Sequence, residues 1–489
     1  MQKKIGLSVM LIMMVFVLSG CYSEETVSYK SEEKALVYSI EKIPETLINS
    51  EETVDRENDV ICSLFEGLVE MNESGDVIPS LCQGWKVSND GLEYIFKLRE
   101  DIKWSNGEKI TSFDFIDYFK YILSPDNENY KLDELYTIEG AKDYKNGVCD
   151  FENVKIQATD KKTIVITLNT CDEEFLKKLS KPVYRLRDVS EPLNYYKDNY
   201  SKIRYTGAYI ISNTSATDIT LKRNDYYLDD AISMEEIKIK EQQSVEADFA
   251  SYNLENIDIV SSPPVLSLDK GEMHTAVEYY PSNVIKVLVF NNENNITSDI
   301  RFRKGLFDGI FLEILDSYMI KYNLGMWAVN DIAYNDLLNK SLYLTKEYEV
   351  NEKLKLKENA KQLLNQLDTR KKVVSLVGKN ISENKIISEF IKNIFQDEYD
   401  ISVEITLLDD NELENYLKEK KFDIYIDDFD LDTYKLSNDY ILEELNESLR
   451  DDYSIISLYY KNFLWCKSSK IDNLYIDANG NLILKYTKI

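Results

Sequence analysis

Histidine is almost absent from this sequence: one residue, His274, in 489. That removes the parts for a His-based triad or a His acid–base pair, and it argues against direct imidazole ligation of a metal. A lone histidine beside an expected strand is an ordinary surface residue. Also missing are Gly-x-Ser-x-Gly, a Walker A loop and Gly-x-Gly-x-x-Gly, so common hydrolase, nucleotidase and dehydrogenase signatures are not met. Basic residues are outnumbered, 58 Lys and Arg against 87 Asp and Glu, for a formal charge of −29. A balance of that sign argues against nucleic-acid binding, which rests on cations neutralising phosphates. It also argues against lying flat on anionic lipid. Its default role is solubility. Glycine and proline are scarce, at 16 and 8, whereas tyrosine numbers 35, a composition suited to long regular elements with aromatic surfaces. Paired carboxylates abound in so acidic a chain, so their proximity alone assigns no chemistry. The residues point to a protein that is not an enzyme and needs no cofactor or resident metal.

Long hydrophobic runs are lacking too. Beyond the first twenty residues nothing approaches 18 consecutive apolar residues, so no other membrane span is expected. The N-terminus differs. Lys3 and Lys4 precede the run Ile5 to Leu18, which has signal-peptide length and falls short of the roughly 20 residues a span needs. It ends in Leu18-Ser19-Gly20-Cys21. This resembles a bacterial lipobox, in which small residues precede a cysteine that is diacylated and becomes the new N-terminus. The expectation is a signal peptide over 1–20, lipid attachment at Cys21 and a polar tether over 21–34, holding the body at the extracytoplasmic face of the cell membrane. Of six cysteines, Cys21 would be consumed by lipid. Cys62, Cys82, Cys149, Cys171 and Cys466 remain, an odd number without a Cys-x-x-Cys. A complete disulfide framework is therefore excluded, while Cys62–Cys82 and Cys149–Cys171 stay open.

The chain is long enough for two or three lobes. Its body opens with a β-favouring run, Ala35 to Ile40, and a helix-like stretch from Val60 to Val69. Tyr94 to Leu98 reads as a strand entered from the turn Asn89-Asp90-Gly91, and Asn106-Gly107 makes a second turn. Thr111 and Asp114 have capping-box spacing, and Phe115, Phe119 and Ile122 line one face of the helix behind them. Lys162–Leu168 alternates as a strand, and Tyr209–Ser212 with Ile219–Lys222 reads as a hairpin. After about residue 283 the character changes. Val284–Phe290 is a continuous strand; Asp299 to Leu338 shows no clear period. Helix Glu352–Leu367, strand Val373–Val377, a helix bearing Ile386, Ile387, Phe390, Ile391 and Ile394, strand Ile401–Leu407, helix Asn411–Leu417 and strand Phe422–Ile426 then alternate. That order implies βαβ units and a mostly parallel sheet.

Directly after the last of these strands comes Asp427-Asp428-Phe429-Asp430-Leu431-Asp432. Loops beyond the carboxyl ends of such strands are where open α/β sheets bind ligands. Four carboxylates in six residues repel unless something positive lies among them: a ligand ammonium, Lys435 or a cation. Asp428, Asp430, Asp432 and Asp439 fall at positions 1, 3, 5 and 12 of a calcium-type loop, but Thr433 stands where Gly is needed and Asp439 is shorter than the usual Glu.

Between residues 58 and 125 the order of motifs is specific. Phe65-Glu66-Gly67-Leu68-Val69 is followed by Gly75-Asp76-Val77-Ile78-Pro79, by Gly84-Trp85 and Asn89-Asp90-Gly91-Leu92-Glu93-Tyr94-Ile95-Phe96, and by Trp104-Ser105-Asn106-Gly107. This resembles the family 5 extracellular solute-binding proteins, the oligopeptide-, dipeptide- and nickel-type receptors of ABC importers. Tyr205 to Tyr209 and Leu221 to Tyr227 resemble the family's Gly-x-Tyr and Leu-x-x-Asn-x-x-Tyr segments. The resemblance implies an α+β, α/β periplasmic-binding-protein-like (type II) fold with three lobes. Lobe I would be discontinuous (35–57, 189–282 and 469–489), lobe II an insertion (58–188) and lobe III the α/β lobe (283–468). It further implies a short peptide or peptide-like ligand enclosed between lobes I and III, and an ABC permease as partner. Candidate ligand contacts are Asp427 and Asp430 as amine anchors, with Tyr425, Phe65 and Glu66. Lobe III departs from the family pattern. Asp299-Ile300-Arg301-Phe302-Arg303-Lys304-Gly305-Leu306 begins a family motif and then dissolves at Phe307-Asp308-Gly309-Ile310. The Trp-x-x-Asp-Tyr-x-Asp-Pro segment, corresponding to Tyr425–Thr433, has lost its Trp and Pro. That erosion supports a second reading, a surface lipoprotein using the same scaffold for signalling or protein contact.

Overall fold

A computed structural model describes residues 35–48, 56–127, 132–228, 232, 234–261, 263, 277–294, 296–313, 325–327, 350–367, 373–430, 435–436 and 453–489. Cys21, the tether, His274, Asp432 and Asp439 lie outside them. Strand β1 (Leu36–Ile40) stands where the sequence places it, and helix α1 follows at Glu57–Leu64. The helix stops well short of Val69, because neighbouring segments claim the backbone beyond it. Gly207 N–H donates to Leu64 O at 2.8 Å, Glu66 N–H donates to Thr206 Oγ1 at 2.9 Å, and Leu186 N–H donates to Glu66 O at 2.8 Å. A Cβ on Gly207 would sit 2.5 Å from the Leu64 carbonyl carbon, so this approach needs glycine. Phe65 is accordingly extended, and the chain pairs β2 (Val69–Met71) with β3 (Val77–Pro79).

A four-stranded antiparallel sheet comes next: β4 (Cys82–Val87), β5 (Glu93–Leu98), β6 (Ile156–Asp160) and β7 (Thr163–Thr167), in the order β4-β5-β7-β6. Helix α2 (Ser112–Ile122) begins with the capping box read from its spacing, the Asp114 carboxylate accepting the Thr111 N–H at 2.7 Å. It buries Phe115, Phe119 and Ile122.

The remaining strands build one twelve-stranded sheet among the described residues. They are β8 (Tyr209–Thr214), β9 (Asp218–Arg223), β10 (Glu236–Glu241), β11 (Ile259–Ser261), β12 (Val277–Phe290), β13 (Gly325–Trp327), β14 (Val373–Lys379), β15 (Ser402–Leu408), β16 (Ile424–Asp430), β17 (Lys435–Leu436) and β18 (Ile455–Lys467), with β1. The main path runs β15-β14-β16-β12-β18-β11-β1-β10-β9-β8. The βαβ expectation holds for β14, β15 and β16, which pair in parallel; β12 then runs antiparallel between β16 on one side and β18 on the other. Helices α3 (Ile300–Glu313), α4 (Val350–Asn365), α5 (Ser382–Tyr399) and α6 (Asp410–Lys418) accompany this half. Helix α3 lies in the stretch without a readable period. Two glycines replace apolar positions there: a Cβ on Gly305 would meet Leu364 at 2.8 Å, and one on Gly309 would meet the Tyr399 hydroxyl at 2.2 Å.

Among the described residues the apolar interior falls into three clusters. One joins Tyr38, Phe65, Trp104, Tyr209 and Ile237 with Trp465 and Leu484. The other two lie on opposite faces of the α/β half: Leu288, Ile391, Ile424 and Ile426 in one, Ile285, Val287, Leu413 and Tyr425 in the other.

Candidate functional site

Alternation along β16 divides the acidic run between the two faces of the sheet. Ile424 and Ile426 enter the cluster shared with α5, whereas Tyr425 and Phe429 enter the cluster shared with α6. Asp428 follows the first pair and Asp427 the second. Register places Lys286 of β12 opposite Asp428, and β18 contributes Lys461 from the other side of β12. Lys286 Nζ is 2.5 Å and Lys461 Nζ 2.7 Å from Asp428 carboxylate oxygens. The same two ammoniums lie 3.3 and 3.1 Å from Glu383, in the first turn of α5. Tyr459 OH donates to Glu383 at 2.8 Å, and Lys286 Nζ donates to Asn384 Oδ1 at 3.2 Å. Among the described side chains, the positive partners of Asp428 are therefore lysines from the two longest strands; the side chain of Lys435 lies outside that set.

This quartet of two cations and two anions sits at the carboxyl ends of β14 and β16 and the amino end of α5. Side-chain exposure runs from 1% at Lys286 through 17% at Glu383 to 23% at both Asp428 and Lys461. Burial opposes ionisation of Asp428, but Lys286 and Lys461 outweigh it and hold its carboxyl well below the usual range. Glu383 is lowered by the same balance, and both acids push the Lys461 ammonium upward against burial.

The five contacts expected from sequence do not gather in one place. Tyr425, Asp427 and Asp430 share β16. Tyr425 is 1% exposed and packs edge-on to Phe422 at 6.1 Å. Asp427 is 3% exposed, and its carboxylate accepts the Asp428 N–H at 2.8 Å. Asp430 pairs through its backbone with Val284 and Lys435. Phe65 and Glu66 belong to the first interior cluster and its surroundings. Phe65 stacks on Tyr205 at 5.8 Å beneath the Arg187 guanidinium. Glu66, 1% exposed, accepts from Lys485 Nζ at 2.7 Å, Ser80 Oγ at 2.7 Å and Tyr227 OH at 2.8 Å, with Arg185 at 3.4 Å. Sequence reasoning missed Lys286, Glu383, Tyr459 and Lys461. The available signal was a lysine inside the apolar strand Val284–Phe290, a position that demands a buried counter-charge. Cysteine pairing is settled as well: Cys62, Cys82, Cys149, Cys171 and Cys466 are all free, so neither Cys62–Cys82 nor Cys149–Cys171 forms.

A twelve-stranded sheet shared by a β-rich half and an α/β half, with charge gathered at strand ends, defines a type II solute-binding protein fold. Solved structures agree. The Escherichia coli murein tripeptide-binding protein MppA aligns over 94% of this chain and 99% of its own, at TM-score 0.73 and 18% identity. Haemophilus influenzae OppA in complex with RPPGFSPFR aligns over 94% and 99%, at TM-score 0.72 and 17% identity. Residues 76–442 match the model of the bacterial extracellular solute-binding proteins, family 5 (middle region), and the chain belongs to that family. Among curated relatives, the dipeptide-binding protein DppE of Bacillus subtilis is 26% identical over 276 residues, 53% of this chain and 49% of the relative. The oligopeptide-binding protein OppA of the same organism is 28% identical over 266 residues, 50% and 47% respectively. The matches thus span about half the length of these relatives.

Proposed function

We propose that this protein captures short peptides or peptide-like solutes at the extracytoplasmic face of the cell membrane and delivers them to an ABC importer. The observation that carries this reading is the pairing of family membership with a charged site at the carboxyl ends of β14 and β16, where α/β sheets take ligands. The names of the relatives, a dipeptide-binding and an oligopeptide-binding protein, support the ligand class. In this reading lobe I (35–57, 189–282, 469–489), carrying the inserted lobe II (58–188), closes on lobe III (283–468) about β12 and β18, burying the ligand and presenting one closed geometry to the permease. β12 and β18 are the long strands through which the sheet passes from one half to the other, β18 pairing with β11 and β12 with β16, and that supports such a hinge. Lipid on Cys21 would keep the body beside the membrane.

Calorimetry against a diverse pool of short peptides tests the ligand class. Saturable heat with micromolar or tighter affinity, and a matching rise in thermal midpoint, is expected. Absence of both would remove the reading. Anchoring is tested separately: metabolic labelling with palmitate should mark the wild-type chain and not Cys21→Ala, and equal labelling of the two would exclude Cys21 as the attachment point.

A further inference from the structure

Asp428 and Glu383, at the strand ends, are already balanced from within. Of the run's two carboxylates with described side chains, Asp427 is 3% exposed and Asp428 reaches solvent at 23%. Asp428 is held by Lys286 at 2.5 Å and Lys461 at 2.7 Å, and Glu383 shares both lysines. Two cations cancel two anions, so these four residues offer an incoming charge no net attraction. A ligand ammonium approaching Asp428 has to displace a lysine that is covalently tethered and shared between two acids. Such an exchange makes no additional ion pair and still strips water from the newcomer. A neutral amide or acyl group carries a much smaller desolvation cost than an ammonium.

Resting on the peptide-binding reading above, we propose that the site takes peptides without requiring a free α-amine, so that N-acylated and cyclic peptides are ligands on equal terms with free ones. The selective element is the lysine pair supplied by β12 and β18. Those lysines occupy the place that a ligand ammonium would otherwise fill.

The test is calorimetry on the full wild-type chain with matched pairs of short peptides, identical in sequence, free or acetylated at the N-terminus. Dissociation constants within about threefold of each other are expected, whereas weakening by acetylation of about tenfold or more, close to 1.4 kcal/mol, overturns the proposal. That second result would leave peptide binding intact and move the amine contact elsewhere on the acidic run, which Asp430→Asn would then expose. Failure of every peptide, free or acetylated, would instead overturn the functional reading and this inference with it. Lys461→Met supplies an independent arm: with one lysine gone, Asp428 should come to favour the free amine by at least about threefold. An unchanged ratio in a variant with native circular dichroism would contradict the assigned role of the lysines.

Discussion

Lys485 is the clearest case of a single side chain on which stability turns. It is buried, and its ammonium donates to Glu66 and Glu70 at 2.7 Å each, while Tyr486 OH donates to Glu70 at 2.6 Å. Burial alone would lower its pKa; the two carboxylates reverse that and raise it. Removing the cation takes away the ammonium that two buried acids share, leaving Glu66 to Arg185 at 3.4 Å and Glu70 to the Tyr486 hydroxyl. Lys485→Met should therefore cost about 3–5 kcal/mol in urea denaturation. Adding Glu66→Gln should recover part of that loss, and strictly additive losses would contradict the coupling. Asp477 is also shifted upward, but there the neutral form is the one favoured. Burial raises its carboxyl to about 6, against the hydrogen bonds from Asn481. A folded value above the unfolded one means its contribution is full below the ordinary aspartate range and is lost as pH rises through about 6. Between pH 4 and pH 7 the wild type should lose about 2–3 kcal/mol relative to Asp477→Asn. Parallel stability profiles for the two proteins would show that the carboxyl titrates normally.

Among elements, helix α3 shows why one motif dissolves in the sequence. Gly305 and Gly309 break the apolar stripe, yet they let α3 approach Leu364 of α4 and Tyr399 of α5. Gly309→Ala sets two effects against each other: a helix-propensity gain of about 1 kcal/mol and overpacking of about 1–3 kcal/mol against a ring that is 5% exposed. With the new Cβ only 2.2 Å from the Tyr399 hydroxyl, overpacking should win and lower the thermal midpoint. A more stable variant would mean that the ring yields freely. The same contrast separates what was legible from what was not. Helices α4 and α5 were readable because Leu364 and Ile391 repeat on buried stripes, and α2 because its cap is local. The end of α1 was not readable, because Thr206 and Gly207, distant in sequence, take its backbone groups. The acidic run was visible as an unusual feature. Its counter-charges were hidden because Lys286, Glu383 and Lys461 meet Asp428 only through sheet register and the placement of α5.

For the whole molecule, the decisive features are β12 and β18, which stay paired from Val277 opposite Cys466 to Val289 opposite Ile455, with register shifts near Pro281 and Lys286. The β-rich half joins them where β11 pairs with β18, Ile259 opposite Lys467 through Ser261 opposite Trp465, and the α/β half joins them where β12 pairs with β16. Closure about them is the proposed means of holding cargo. Peptide should then make the molecule more compact in small-angle scattering, and a radius of gyration unchanged at saturation would contradict closure. Whether there is cargo at all is the prior question. Native mass spectrometry of the full-length protein, titrated with a mixed pool of short peptides, answers it most directly. Capture predicts discrete adducts of peptide mass that saturate at one per chain and are released on activation; spectra showing bare protein at every peptide concentration would contradict it.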